Sequence, residues 1–488
     1  MSGENLERSE GAADHAGAVA AIVLAAGKST RMRSKLPKAL HPICGRPLLA
    51  HILSALEGAG VDQRVVVVGH EGERVREAMD ARFGKGKLVY VEQTEQRGTG
   101  HAALMAHPAL SGWTGTVLVV PGDAPLLTEH DFTSLIAQHR SCGAAATLFT
   151  TVLPHDAGSY GRVLRAGDGS VTGVVEAKDA SPEQLRIREI NTSVYAFSAP
   201  ALFRCLSDLR PDNAQGELYL TDVIAMLHRA GETVGAVVSD DPDAGLGVNT
   251  RVELAELSEK MRRRRLQALM LAGVTVEDPA TTFVDADVTV GWDTVLLPFT
   301  RLTGNTKIGE DCVIGPHADL ANAILGDRVR VRASTIDQAV VGDDCRIGPY
   351  AHLRPGSAIA AGVKIGNFVE LKNTRLGEGV SAGHLTYLGD ADVGARTNIG
   401  AGTITCNYDG ARKHRTTIGM DVFVGSDTAF VAPVTVGNGA ATAAGSVITT
   451  DVAPGDLAIG RARQVSKEGW AEARRRSRAS DARSGKGV

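Results

Sequence analysis

Two hydrophobic rhythms divide the chain. In the second half an aliphatic residue returns at every sixth position, at Val341, Ile347, Leu353, Ile359, Ile365 and Leu371. Four residues after each of the first five stands a small or slim side chain: Cys345, Ala351, Ser357, Val363 and Val369. Six α-helical steps turn the chain through about 600°, so such a stripe would wander around a helix, and a plain amphipathic strand would alternate at period two throughout. Period six predicts a chain coiling at fixed pitch, one aliphatic pointing inward from each short strand, which is a hexapeptide parallel β-helix. The rhythm starts near Thr275 and returns at Ile308 and Ile314, at Val393 and Ile399, and at Ile418, Val424, Phe430 and Val436. Residues 401–417 break it and carry polar, aromatic and basic side chains together, which predicts a functional loop leaving the coil.

The first half reads differently. Apolar β runs at Ala21–Leu24, Val65–Val68 and Val117–Val120 alternate with helix-like stretches at 47–58, 71–82 and 100–109. That alternation predicts a doubly wound, Rossmann-like α/β sheet, whose ligands sit beyond the carboxyl ends of strands. The loops 24–38 and 121–123 fall there. Asn249-Thr250 is placed to cap a helix running to about Leu271 and stopped by Ala272-Gly273, and its run Arg262–Arg265 reads as a solvated face. The expected organisation is a disordered tail (1–18), an α/β domain (19–250), a linker helix (251–273), the β-helix (274–462) and a C-terminal tail (463–488) that is basic, Ser-rich and disordered from Arg474 onward.

Composition narrows the function. A chain of 488 residues is expected to hold two or three domains, and 43% hydrophobic with 22% charged residues is a globular balance. A formal charge of −4 argues against nucleic acid as a partner. Aromatics at 4% and 56 glycines suit tight coil corners. The six cysteines are scattered without a CxxC pair or zinc spacing and read as reduced thiols. No apolar run approaches about 18 residues and the N-terminus is polar, so neither membrane insertion nor a signal peptide is expected, and the cytoplasm is the expected compartment.

The first loop suits a nucleoside triphosphate. Ala25, Ala26 and Gly27 let the backbone approach a base or phosphate, while Arg31 and Lys38 can neutralise a triphosphate tail. Asp123, at the end of a buried strand, is a poor core residue and a good Mg²⁺ ligand. The pattern LAAG-x-x-TRM-x(4)-PK over residues 24–38 resembles the sugar-1-phosphate nucleotidylyltransferases. Gln93 in EQTEQRGTGHA, Gly122-Asp123, Tyr160-Gly161-Arg162, Glu176 in VVEAKDA, Asn191 in EINTS and Asn249 in GVNTR follow in order, ahead of the β-helix. Together, over roughly residues 20–470, they resemble the bifunctional N-acetylglucosamine-1-phosphate uridylyltransferases/glucosamine-1-phosphate N-acetyltransferases of bacteria.

The resemblance implies that Leu24, Ala25, Ala26, Gly27, Gln93, Gly98, Thr99 and Gly122 hold the nucleotide of UTP. It implies that Gly161, Glu176 and Asn191 hold the sugar, and that Asp123 and Asn249 bind Mg²⁺. The sugar phosphate then attacks the α-phosphorus in line, with Arg31 and Lys38 neutralising charge. Two departures stand out: Ser29 where the family usually has Gly, and Pro121 where a Tyr is often found. In the second half the resemblance makes His384, in SAGHLTYLGD, the base of amide formation from acetyl-CoA. It assigns Arg354, Lys372, Tyr387 and Asn398 to glucosamine-1-phosphate. Ala401, Asn407, Tyr408, Ser426, Ala444 and Arg461 go to acetyl-CoA, with Asn407 polarising the thioester and Trp470 reaching toward a neighbouring subunit's coenzyme. β-Helices of this superfamily associate as trimers, so a homotrimer is expected.

Two other readings compete. One keeps nucleotidylyl transfer alone, with the β-helix oligomerising or regulatory; the other makes the β-helix a pure scaffold. His384, Arg354, Lys372 and Asn407-Tyr408 argue against both. Arg354 and Lys372 each follow an inward Leu and lie one full turn apart, which predicts that these two cations stack on successive coils.

Overall fold

The computed structural model describes residues 17–27, 30–69 and 71–483. Ser29 and most of the N-terminal tail lie outside them. Two compact units emerge: residues 1–268 with 284–287, and residues 269–283 with 288–488. No helix among the described residues is long and apolar enough to cross a membrane.

The first unit is built on a twisted sheet. Its strands lie in the order Val234–Ser239, Ala146–Val152, Glu189–Ser198, Thr116–Pro121, Val19–Ala25, Gln63–Val68 and Val89–Glu92, with a side hairpin of Arg162–Arg165 and Val171–Val175. Val19–Ala25 is parallel to both neighbours, whereas Glu189–Ser198 runs antiparallel to the strands on either side of it. Both faces are covered, and side chains alternate between them. Ala20 and Ile22 join the core beneath helices Thr99–Met105, Ala199–Ser207 and Asp222–Arg229; Val19, Ala21 and Val23 join the core beneath Leu48–Gly58, Gly72–Phe83 and Glu129–Ser141. This period-two split explains why the central strands read as continuous apolar runs.

Leu24 pairs with Val67 on one side and Pro121 on the other, and the Gly122 N–H donates to the Leu24 carbonyl at 2.9 Å. The first strand's carboxyl end therefore opens beside the loop that carries Asp123. Helix Arg251–Leu271 starts in a reciprocal cap: the Thr250 hydroxyl accepts from the Glu253 N–H at 3.2 Å, and Glu253 accepts from the Thr250 N–H at 2.7 Å. Leu257 packs with Met32, Ile43, Leu48, Leu126 and Val248. The run Arg262–Arg265 is not simply a solvated face. Arg264 donates to the Leu126 carbonyl at 2.7 Å and pairs with Asp241, because that side of the helix lies against the loop following Asp123.

The second unit is a left-handed parallel β-helix of three sheets with eleven, ten and nine strands among the described residues. Val341 pairs with Ile359, Ile347 with Ile365 and Leu353 with Leu371, so equivalent positions recur one turn later. Both period-six series are buried, the aliphatic one and the small one four residues on. Buried threonines occupy many of the remaining inward positions, most of their hydroxyls donating to a backbone carbonyl. Thr300 donates to Leu297 and Ile314, and Thr374 to Leu388.

The threonines also shorten the expected excursion. Residues 401–406 stay in the coil, with Ile404 paired to Tyr387 and Thr403 and Thr405 buried; only 407–415 leave it. Asp409 organises that loop, accepting from the Ala411 and Arg412 N–H groups at 2.8 and 2.6 Å and pairing with His414 at 2.7 Å. Beyond the coil, Trp470–Arg483 forms a helix where a tail disordered from Arg474 onward was expected. Alanines and an i,i+4 pair of Glu472 with Arg476 favour the helix, although Trp470 through Asp481 are all exposed.

Candidate functional site

A cavity of about 600 Å³ opens at the carboxyl ends of the first unit's strands. It is lined by Leu24, Ala25, Ala26, Gly27, Lys38, Gln93, Gly98, Thr99, Gly122, Asp123, Asn191 and Asn249, twelve of the positions singled out in the sequence. Arg31, Gly161 and Glu176 are not among the lining residues. Arg31 donates to Asn249 Oδ1 at 2.9 Å. The Gly161 carbonyl accepts from the Asn191 N–H at 2.9 Å, and Glu176 accepts from the Thr221 hydroxyl at 3.3 Å. Burial raises the Glu176 carboxyl above its ordinary range.

Lys38 is the electrostatic centre. Its ammonium pairs with the Asp123 carboxylate and donates to Asn249 Oδ1 at 3.0 Å. Two oxygen donors thus face one cationic point, and Gly247 leaves room beside them: a Cβ there would stand 3.2 Å from Asp123 Oδ1. A hard divalent cation fits this donor set, with most of its coordination left to water or phosphate oxygens. Among the described residues no larger cluster of His, Cys, Asp or Glu forms a metal site.

Gln93 turns its amide nitrogen toward the Gly98 carbonyl (3.2 Å) and His101 Nδ1 (3.1 Å), so its oxygen is the group left to accept a hydrogen bond. Two contributors, Gln96 and Ser193, escaped the sequence reading, and Tyr160 was quoted there without a role. Gln96 Nε2 fastens the first loop through the Ala26 carbonyl at 2.6 Å, Tyr160 OH accepts from the Gly247 N–H at 3.3 Å, and Ser193 lines the cavity. Arg162, quoted in the same motif as Tyr160, is a support. It is fully buried and donates to the carbonyls of Gly158 (3.1 Å), Leu185 (3.4 Å) and Tyr160.

The second unit splits its candidates between two faces. A groove of about 730 Å³ along the eleven-stranded sheet is lined by His384, Asn398, Ala401, Ser426, Ala444 and Arg461, with Gly400, Gly425 and Ala443 as a floor of small residues. Arg461 is anchored on the Ala444 carbonyl at 2.8 Å. Arg354, Lys372, Tyr387, Asn407 and Tyr408 lie instead on the ten-stranded face and its loop, outside the groove's lining. Only Leu385 and Thr386 separate His384 from Tyr387, so one corner joins the two faces.

The stacked cations appear as expected, since Leu353 pairs with Leu371 and the Arg354 N–H donates to the Leu371 carbonyl at 2.8 Å. Arg354 pairs with Glu370 at 2.8 Å. Lys413, missed in the sequence because it sits in the run ARKHR, adds a second ammonium. Its proximity, with a contribution from burial, holds Lys372 below the usual lysine range. Trp470 is exposed, and among the described residues it does not line the groove.

Comparison with known proteins agrees with this geometry. Residues 21–186 match the MobA-like NTP transferase domain, and residues 338–373 match the bacterial transferase hexapeptide (six repeats). The chain is 50% identical over 453 residues to the bifunctional protein GlmU of Pelobacter propionicus, covering 93% of this chain and 98% of that protein. It is 49% identical to the GlmU of Koribacter versatilis, over 93% and 97% of the two chains, and 49% identical to that of Mycolicibacterium vanbaalenii, over 93% of each.

Proposed function

The chain belongs to the family of bifunctional GlmU proteins, and from that premise we propose how its two sites divide the synthesis of UDP-N-acetylglucosamine, a precursor of cell-envelope polymers. The coil acetylates glucosamine-1-phosphate with acetyl-CoA. The α/β unit then transfers UMP from UTP to the acetylated sugar phosphate, releasing pyrophosphate. A single observation carries the division of labour: each unit has its own cavity, one centred on Lys38, Asp123 and Asn249, the other on His384.

In the coil, His384 takes a proton from the substrate ammonium. The freed amine attacks the thioester carbonyl, a C–N bond forms, the C–S bond breaks and the thiolate leaves to be protonated. Arg354, Lys372 and Lys413 hold the sugar phosphate. The groove past Ala401, Ser426 and Ala444 to Arg461 carries the coenzyme. In the α/β unit the Gln93 oxygen meets the imide N–H that distinguishes uracil from cytosine. Glu176 and Asn191 hold sugar hydroxyls or the acetamido group. Asp123 and Asn249 would hold Mg²⁺, which when bound neutralises phosphate charge and leaves Lys38 and Arg31 free to turn onto the triphosphate. Oxygen of the sugar phosphate attacks the α-phosphorus as the bond to the β-phosphate breaks.

The coil acts as a cyclic homotrimer in this reading, within the cytoplasm. One corner supports it: Phe299, Tyr350, Phe368 and Leu385 are all more than half exposed, and all hold positive φ that bulky side chains avoid. Tyr350 stacks on Phe368 at 5.3 Å. An apolar ridge kept exposed at such a backbone cost suits burial against a second copy. Tyr350→Ser with Phe368→Ser is expected to give monomers by sedimentation; an unchanged mass would remove the ridge from the interface. For the chemistry, His384→Ala is expected to lose acetyl transfer while keeping uridylyl transfer, and Asp123→Ala the reverse. Parallel loss of both activities in either variant would contradict the division.

A further inference from the structure

Asp390 is only 9% exposed, and both its carboxylate oxygens are taken by amides. Oδ1 accepts from Asn373 Nδ2 and Oδ2 from Asn407 Nδ2, each at 2.6 Å. Its backbone ties the same place together, the N–H donating to the Lys372 carbonyl at 2.9 Å and the carbonyl accepting from the Thr416 N–H at 3.1 Å. Burial alone would raise the carboxyl. The two amide hydrogen bonds and the ammonium groups of Lys372 and Lys413 outweigh it and hold the group below the ordinary carboxylate range.

An ionised carboxylate only accepts hydrogen bonds, so it fixes the sense of the amide facing it. The NH₂ of Asn407 is turned to Asp390 and its carbonyl oxygen points away. Among the described residues no donor meets that oxygen. A side chain at Gly389 would obstruct the arrangement: its Cβ would overlap the Tyr387 hydroxyl and stand 2.8 Å from Asn407 Nδ2. Lys372, in register with Gly389, therefore faces a gap in which phenol and amide come together.

We propose that Asp390 is a positioning residue for acetyl transfer, holding Asn407 so that its amide oxygen accepts a hydrogen bond from the attacking amine. This rests on the acetyl-transfer reading and changes one part of it. Polarising the thioester requires a donor, whereas the fixed amide offers the amine an acceptor. With one amine hydrogen held by Asn407 and the ammonium proton removed by His384, the nitrogen lone pair is left to form the C–N bond as the C–S bond breaks.

Swapping the pair tests it. Asp390→Asn sets an NH₂ against one of the two amides. It is expected to lower kcat for acetyl transfer by about tenfold or more, leaving KM for acetyl-CoA within about threefold. The double variant Asp390→Asn/Asn407→Asp restores the hydrogen bond with its direction reversed, keeps the local charge and still turns an accepting oxygen outward. It is expected to recover most of the lost rate, which a purely structural role or a donor role for Asn407 would not allow. If Asp390→Asn does not fold, Asn407→Asp alone carries the test. Two facing carboxylates share a proton, so its acetyl transfer should fall relative to the parent protein as pH rises between about 6 and 9. A fully active Asp390→Asn, a folded swap no better than that variant, or an Asn407→Asp with the parent pH profile would overturn the proposal. Absence of acetyl transfer in the unmutated protein would instead overturn the reading beneath it.

Discussion

Removing the Lys38 ammonium should have two opposite effects on the first site. Lys38 pairs with Asp123 and donates to Asn249, the two groups that would hold a divalent cation, so a metal must displace the ammonium before it can bind. The side chains of Lys38 and Asp123 are 17% and 25% exposed, which places the pair between a screened surface bridge and a buried one. Two unit charges about 3 Å apart attract by roughly 5 kcal/mol at an effective dielectric near 20, and desolvation and side-chain ordering cancel most of that. A net of about 1.5 kcal/mol remains as the cost of displacement, close to tenfold in affinity. Lys38→Met is therefore expected to bind Mg²⁺ about tenfold more tightly in the absence of nucleotide, read by titration calorimetry. The same variant loses one charge-neutralising donor on the triphosphate, so pyrophosphate release should fall by about 10²–10³. Unchanged acetyl transfer in the same preparation reports an intact protein. Mg²⁺ affinity that stays the same or weakens would refute the idea that the ammonium holds the metal's place.

Gly389→Ala pushes a methyl group against the Tyr387 hydroxyl and Asn407, so acetyl transfer should fall by about tenfold or more while uridylyl transfer is unaffected; equal acetyl rates would show that this gap is unused. His51 is buried, its Nε2–H donating to the Ile43 carbonyl at 2.9 Å, and burial lowers its pKa to about 4. The unfolded chain takes up that proton as pH falls through about 6.5 and the folded chain only near 4. The stability contributed by the neutral ring is thus present above the unfolded pKa and lost on acidification, about 2 kcal/mol between pH 7 and 5. Urea unfolding followed at both pH values should show a smaller acid loss in His51→Gln than in the parent; identical acid losses would contradict the assignment.

Much of the fold is legible because a coil needs an inward residue at a fixed arc on every turn. The pairing of Leu353 with Leu371 carries Arg354 and Lys372 into the stack that their spacing implies. What hid part of the coil was chemistry at the same positions. Thr403 and Thr405 point inward as the aliphatics do, but they are polar, so residues 401–406 read as loop. The cavity of the first unit was legible wherever a strand ended in a small or acidic residue, as at Ala25–Gly27 and Asp123. Gln96 was not, because nothing in EQTEQRG separates a loop-fastening Gln from its neighbours until the fold brings it to Ala26. Lys413 and Asp390 were hidden for a related reason. Each acts only through residues about 17 to 41 positions away, Asn373, Asn407 and Lys372, and a period-six pattern says nothing about polar groups between its beats.

The central claim, two chemistries in sequence on one chain, is tested most directly by omission. The purified protein is given glucosamine-1-phosphate, acetyl-CoA, UTP and Mg²⁺, leaving out each in turn, while free thiol and pyrophosphate are followed together. Thiol release is expected to need the amino sugar and acetyl-CoA but not UTP. Pyrophosphate release is expected to need UTP and, starting from the amino sugar, acetyl-CoA as well. Pyrophosphate released at full rate without acetyl-CoA, or no thiol released at all, would contradict the account.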